Sequence, residues 1–185
     1  MPIIWIVLGV VVIVILFAVV SYNRLVSLRE QVRAAWAQID VMLKRRYDLI
    51  PNLVETVKGY AKHEQGTLQA VIAARNSAVA ASGNPQQLSE AEGVLTGAMR
   101  QMFALAESYP DLKANQNFLQ LQGELSNTEN QISQQRQQYN GLVASYNATI
   151  LSFPSNLIAG PFGFTTQAFF ELQDVAQREA PKVQF

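Results

Sequence analysis

The 185-residue chain contains no cysteine. Disulfides, thiolate metal sites and cysteine nucleophiles are thereby excluded. It has no excess of either charge: Lys+Arg and Asp+Glu number 14 each, for a formal net charge of zero. A general nucleic-acid binder carries a basic surplus, so no nucleic acid is expected as a partner. Histidine occurs once, at His63. A zinc-protease helix needs a second histidine four residues on, and that position holds Thr67. A serine triad would have to use the same histidine, and no nucleophile-elbow sequence accompanies it. Walker loops and dinucleotide fingerprints are missing too. We therefore assign no catalytic, cofactor-binding or metal-ligating residue, and His63 reads as a polar residue on a helix face.

Charge is also missing from the first twenty residues, MPIIWIVLGVVVIVILFAVV. As a helix, Ile3 to Val20 rises about 27 Å, close to the hydrocarbon thickness of a bilayer. Trp5 and Tyr22 stand near its two ends, where amphipathic rings favour the membrane interface. A cleaved signal peptide would show Lys or Arg before a shorter core and a small-x-small site after it, and none of these is present. An uncleaved single-pass anchor is expected. Arg24, Arg29, Arg33, Lys44, Arg45 and Arg46 follow it closely, six of the fourteen basic residues. Positive flanks stay inside, which predicts the N-terminus outside and the body in the cytoplasm. Arg24, Arg29 and Arg33 are candidate contacts for lipid head groups, adding about 1 kcal/mol each, beside the plainer reading as topology signals.

Beyond the anchor, apolar residues recur at helical spacing in four series. They are Leu25, Leu28, Val32, Ala35, Ile39, Met42; then Leu53, Val57, Tyr60, Thr67, Val71, Ala74, Ala78 with Glu64 as a polar member. Leu88, Ala91, Leu95, Ala98, Met102, Leu105 follow, and the longest series runs from Phe118 through Leu125, Ile132, Tyr139 and Tyr146 to Phe153. No segment alternates as a strand does. Ser82-Gly83-Asn84-Pro85 reads as a turn with Pro85 opening the next helix, and Tyr109-Pro110-Asp111 as a break with Asp111 as helix cap. Short connections make neighbours antiparallel, so the predicted fold is all-α: a transmembrane helix (1–21), an antiparallel up-down four-helix bundle (22–153) and a Phe-rich C-terminal tail (154–185).

Three stretches bear on function. In LKRRYDLIPNLVETVKGYAKHE (43–64), Asp48 as cap would place Pro51 in a first turn, where proline costs little. Lys44-Arg45-Arg46 would close the preceding helix against its negative end. These features predict a break or kink near residues 46–49, a structural corner shaped by Asp48 and Pro51, and require no catalysis. Half of the positions from Asn115 to Asn140 are Asn or Gln. The apolar series persists through them, which favours a helix with a polar exposed face over a disordered tract. Asn147-Ala148-Thr149, a glycosylation sequon by pattern, falls within predicted helix. Phe153, Phe162, Phe164, Phe169, Phe170 and Phe185 are six of the nine phenylalanines, beside helix-breaking Gly160, Pro161 and Gly163. A short helix is expected at 167–177. Such aromatic surface must be covered, either by folding back on the bundle or by docking on a partner or the membrane, with Phe153, Phe164, Phe169 and Phe170 as candidate interaction residues.

YNRLV (22–26), LKRRYDLIPNLVETVKGYAKHE (43–64), AESYPDLKANQNFLQLQGELSNTENQI (106–132) and QYNGLVASYN (138–147) are long segments in a distinctive order. Through them the chain resembles the bacterial LemA family over essentially its whole length. FPSNLIAGPFGF (153–164), FFE (169–171) and APKV (180–183) match as well. The resemblance implies a membrane helix, an antiparallel helical bundle and no accepted enzymatic activity. A relative takes part in building magnetosome membranes. The expected function is a non-enzymatic, membrane-anchored scaffold that self-associates, with membrane lipids and other membrane proteins as further partners. A lipid- or ligand-binding bundle is the alternative, and an enzyme ranks last.

Overall fold

The protein, seen in a computed structural model, is described here over residues 2–171. Those residues form six helices: α1 Pro2–Tyr60, α2 Gln65–Ala80, α3 Pro85–Ala106, α4 Pro110–Lys113, α5 Gln116–Leu151 and α6 Asn156–Ala159. No strand occurs among them. The fold is all-α and opens with a long apolar helix. One helix among the described residues, α1, is long and apolar enough to cross a membrane. Its side chains from Ile3 to Leu16 are each about half exposed or more, as lipid-facing residues would be.

The described chain divides into two compact units, one of residues 2–38 and 135–169, the other of 39–134 and 170–171. In the first unit, α1 and α5 run antiparallel. Trp36 meets Tyr139 at 5.3 Å between ring centroids. Further along, Tyr22 meets Phe162 and Phe164, which follow the end of α5. Leu25, Val32 and Ala35 of α1 are buried, as are Tyr139, Val143 and Tyr146 of α5. Asn147, the sequon asparagine, holds residue 167 from both sides. Its amide donates to the Gln167 carbonyl at 2.9 Å and its oxygen accepts from the Gln167 N–H at 2.8 Å.

The second unit takes Ile39, Leu43, Ile50, Leu53 and Val57 from α1 into its core. Leu68, Val71, Ala74 and Ala78 come from α2, and Leu88, Leu95, Met99 and Met102 from α3. Phe118, Leu125 and Ile132 are the contribution of α5. Each set steps by three, four or seven, so each is one stripe of an amphipathic helix. The α2–α3 connection turns on Gly83, whose φ of +95° suits a residue without Cβ. Asn84 then caps α3 with its side-chain oxygen accepting from the Gln86 and Gln87 N–H groups, and Pro85 occupies the first helical position.

Three local expectations need correction. First, no helix ends at residues 46–49: α1 continues through Asp48 and Pro51 to Tyr60, and the chain turns at Ala61–Glu64 instead. Asp48 caps nothing; it is exposed and pairs with Lys44 one turn back at 3.0 Å. The turn falls where Lys62, His63 and Glu64 offer no apolar side chain to bury, so no packing holds those residues in a helix. Second, Asp111 lies inside the first turn of α4 rather than capping it, and Asn115 caps α5 by accepting from the Phe118 N–H at 3.0 Å. Third, residues 167–171 form no helix, while 172–177 and Phe185 lie outside the described residues.

Candidate functional site

A charged residue stands on the buried stripe of α1, and another of opposite sign on that of α3. Arg46 follows Leu43 by three and precedes Ile50 by four; Glu92 follows Leu88 by four and precedes Leu95 by three. Helix periodicity therefore turns both side chains inward. Their side chains are 6% and 3% exposed, and Arg46 Nη1 lies 2.7 Å from Glu92 Oε2. The same Nη1 is 2.9 Å from Glu129 Oε2 of α5, while Nη2 donates to Thr96 Oγ1 at 3.3 Å. Tyr47 completes the group, its hydroxyl donating to Glu92 Oε1 at 2.5 Å. Both carboxylate oxygens of Glu92 are thus occupied. A buried charge is tolerable only when paired and hydrogen-bonded, and here three helices supply the partners.

The chemistry of this group is that of a tie. Burial, followed by the charge and hydrogen bond of Glu92, pushes the Tyr47 hydroxyl far above the usual tyrosine range, only partly opposed by Arg46. Tyr47 therefore stays protonated and acts as a donor, not a base or nucleophile. Arginine keeps its proton in any protein setting. His63 is exposed in the turn after α1. Among the described residues no cluster of three or more His, Asp or Glu side chains could hold a metal ion. Neither Arg46 nor Glu92 figures in the sequence-based site. The signal was there: one charge of each sign interrupting the apolar stripes of two helices.

Pro51 sits inside α1 and cannot donate to the Tyr47 carbonyl four residues earlier. Arg75 of α2 donates to that carbonyl through Nε at 3.1 Å. The residues expected to form a corner, Asp48 and Pro51, thus lie within one unbroken helix, and a neighbouring helix repairs its ladder.

The candidate lipid and interaction residues fall largely in the first unit. Arg29 lies over the Phe164 ring at 5.1 Å, and Glu30 sits 3.5 Å from Arg29 and 2.9 Å from Arg33. Arg24 is exposed. Phe164 is buried, whereas Phe153 is 79% and Phe169 40% exposed. Phe170, in the second unit, is buried. The Tyr139 hydroxyl donates to the Ala168 carbonyl at 2.9 Å, and burial raises its pKa. Tyr146 is raised by burial as well, with the Arg29 and Arg33 charges acting against the shift.

The second unit also carries an open cleft of about 980 Å³ along the end of α1 and the start of α2. Val54, Leu68 and Ile72 line it together with Lys58 and Lys62. Lys58 is paired with Glu55 at 3.2 Å.

A model of the LemA family matches residues 35–185. The protein LemA of Metamycoplasma hominis is 26% identical over 156 residues, covering 83% of this chain and 70% of that protein. The magnetosome protein MamQ 2 of Paramagnetospirillum magneticum is 24% identical over 175 residues, 81% of this chain and 64% of that protein. The magnetosome protein MamQ of Magnetospirillum gryphiswaldense is 24% identical over 174 residues, 80% and 64% of the two chains. The chain therefore spans 64% to 70% of the length of these relatives.

Proposed function

The chain belongs to the LemA family, and we propose that it is a non-enzymatic scaffold, anchored in the cell membrane by α1 and self-associating there. The observation that carries this reading is the continuity of α1. One helix of 59 residues joins an apolar, exposed N-terminal span to the core of the second unit. No flexible linker separates that span from the buried residues of α1.

Two further observations support it. The buried ionic group spends its donors and acceptors on tying α1, α3 and α5 together, with Tyr47 held protonated. Val41, Val94 and Leu119 are 58%, 63% and 49% exposed on helices, apolar area of the kind that a second copy covers. The basic residues after the span, Arg24, Arg29 and Arg33 first, support an N-terminus outside and a cytoplasmic body.

Native mass spectrometry after gentle extraction, with cross-linking in intact membranes, tests the scaffold. A discrete homo-oligomer is expected; a monomer under both conditions overturns self-association. Gln122→Cys labelling with an impermeant reagent tests orientation, and labelling of intact cells would reverse it. The cleft beside Lys58 and Lys62 favours a second reading, a bundle that binds an anionic amphiphile, which retained ligand at fixed stoichiometry would reveal.

A further inference from the structure

We propose that the turn following α5 is a second membrane-contacting element, lying in the interfacial layer of the leaflet from which α1 emerges. The inference rests on α1 spanning the bilayer. Within the first unit, Phe162 packs edge-on against Tyr22 with ring centroids 5.1 Å apart, and Phe164 does so at 5.7 Å. Tyr22 stands two residues beyond the last residue of the apolar run, at the depth where aromatic rings settle between hydrocarbon and water. The turn is therefore continuous with the anchor's own exit from the lipid.

Its surface fits that place. Leu151, Phe153, Leu157 and Phe162 are 70%, 79%, 62% and 60% exposed. Four large apolar side chains displayed within twelve residues are costly in water. No Asp, Glu, Lys, Arg or His occurs between Arg136 and Glu171, so no charge on this stretch need be desolvated. The backbone is prepared as well. Every main-chain N–H from Asn156 to Phe164 donates to a nearby carbonyl of the same turn or the residues just before it, and Pro161 has none to satisfy. Irregular backbone that keeps its donors paired can enter a poorly hydrated layer at little cost. Nearby, Arg24 is exposed, while the Arg29 side chain covers the inner ring, Phe164. An anionic head-group layer outside an apolar one suits that arrangement.

The absence of cysteine makes the test direct. Full-length Phe153→Cys, Leu157→Cys, Val12→Cys and Gln137→Cys variants, each with one environment-sensitive fluorophore, are reconstituted into phosphatidylcholine–phosphatidylglycerol vesicles. Lipids carrying a quencher either near the head group or at mid-chain are then compared. Probes at 153 and 157 are expected to shift to the blue and to lose emission chiefly to the shallow quencher. The probe at 12 responds to the mid-chain quencher and that at 137, two-fifths of α5 away from the turn within the same unit, to neither. A quenched probe at 12 with unquenched probes at 153 and 157 overturns the inference and leaves the anchor standing. An unquenched probe at 12 removes the anchor and the inference with it. Blue-shifted but unquenched probes at 153 and 157, reverting on dilution of the protein, would assign the patch to a second copy and overturn it too.

Discussion

Arg75 donates from Nε to the main-chain carbonyl of Tyr47 at 3.1 Å, and that carbonyl is the acceptor Pro51 leaves open. Proline inside a helix removes a donor and pushes the carbonyl four residues back out of line. A displaced carbonyl is within reach of a side chain on the adjacent helix. The guanidinium fills the gap, and its Nη1 is held by Asn76 at 3.1 Å.

Arg75→Ala should therefore lower stability by about 1–2 kcal/mol, the cost of a half-buried carbonyl losing its donor. In a Pro51→Ala background the loss should be markedly smaller, because residue 51 then donates to Tyr47 itself. Thermal unfolding of the four proteins in one detergent checks the coupling. Equal losses in both backgrounds would show that Arg75 acts elsewhere.

Removing Glu92 should cost far more than removing Glu129. Glu92→Ala takes from Arg46 its buried partner, leaving it only the half-exposed Glu129 and the Thr96 hydroxyl, and leaves the Tyr47 hydroxyl without its acceptor, a loss of about 3 kcal/mol. Glu129 is 42% exposed, so Glu129→Ala should cost about 1 kcal/mol or less. Chemical denaturation followed by circular dichroism ranks the two, and the reverse order would refute the assignment of Glu92 as the principal partner.

Tyr47 predicts an alkaline limit to stability. Its pKa in the folded chain is raised, while an unfolded tyrosine titrates at about 10. Below about pH 10 both states hold the proton and the stabilisation is complete. As pH climbs beyond that, the unfolded state releases its proton first and the stabilisation drains away. Tyr139 and Tyr146, also raised by burial, add to the same slope. Tyr47→Phe should reduce stability at neutral pH and flatten the fall above pH 10. An unchanged alkaline slope in that variant would count against the folded-state shift.

Asn84→Ala should destabilise the α2–α3 hairpin by about 1 kcal/mol, the usual worth of an N-cap. Its side chain holds the Gln86 and Gln87 N–H groups at 3.0 and 3.2 Å. Asn84→Ser should restore most of the loss, since a serine oxygen can accept from the same groups. Hydrogen exchange at residues 86 and 87 reads the effect locally.

The order of residues along the chain determined the helical class, the apolar anchor, the Gly83-Asn84-Pro85 turn and most of the inward faces. Each depends on spacing within one helix or turn, and a local period of 3.6 is legible without knowing any neighbour. Even the buried pair was half written, in the charges that Arg46 and Glu92 place on otherwise apolar stripes. Tertiary structure decided what those signals became. Pro51 reads as a helix start because, alone, a mid-helix proline is costly; an arginine from 24 positions later in the sequence supplies the missing donor and keeps α1 whole. Arg46, which reads as a cation closing a helix, is instead drawn into the core by Glu92 and Glu129. Interactions between residues so far apart in sequence have no period, so only the packing of one helix against another could choose between a corner at Asp48 and a turn at His63.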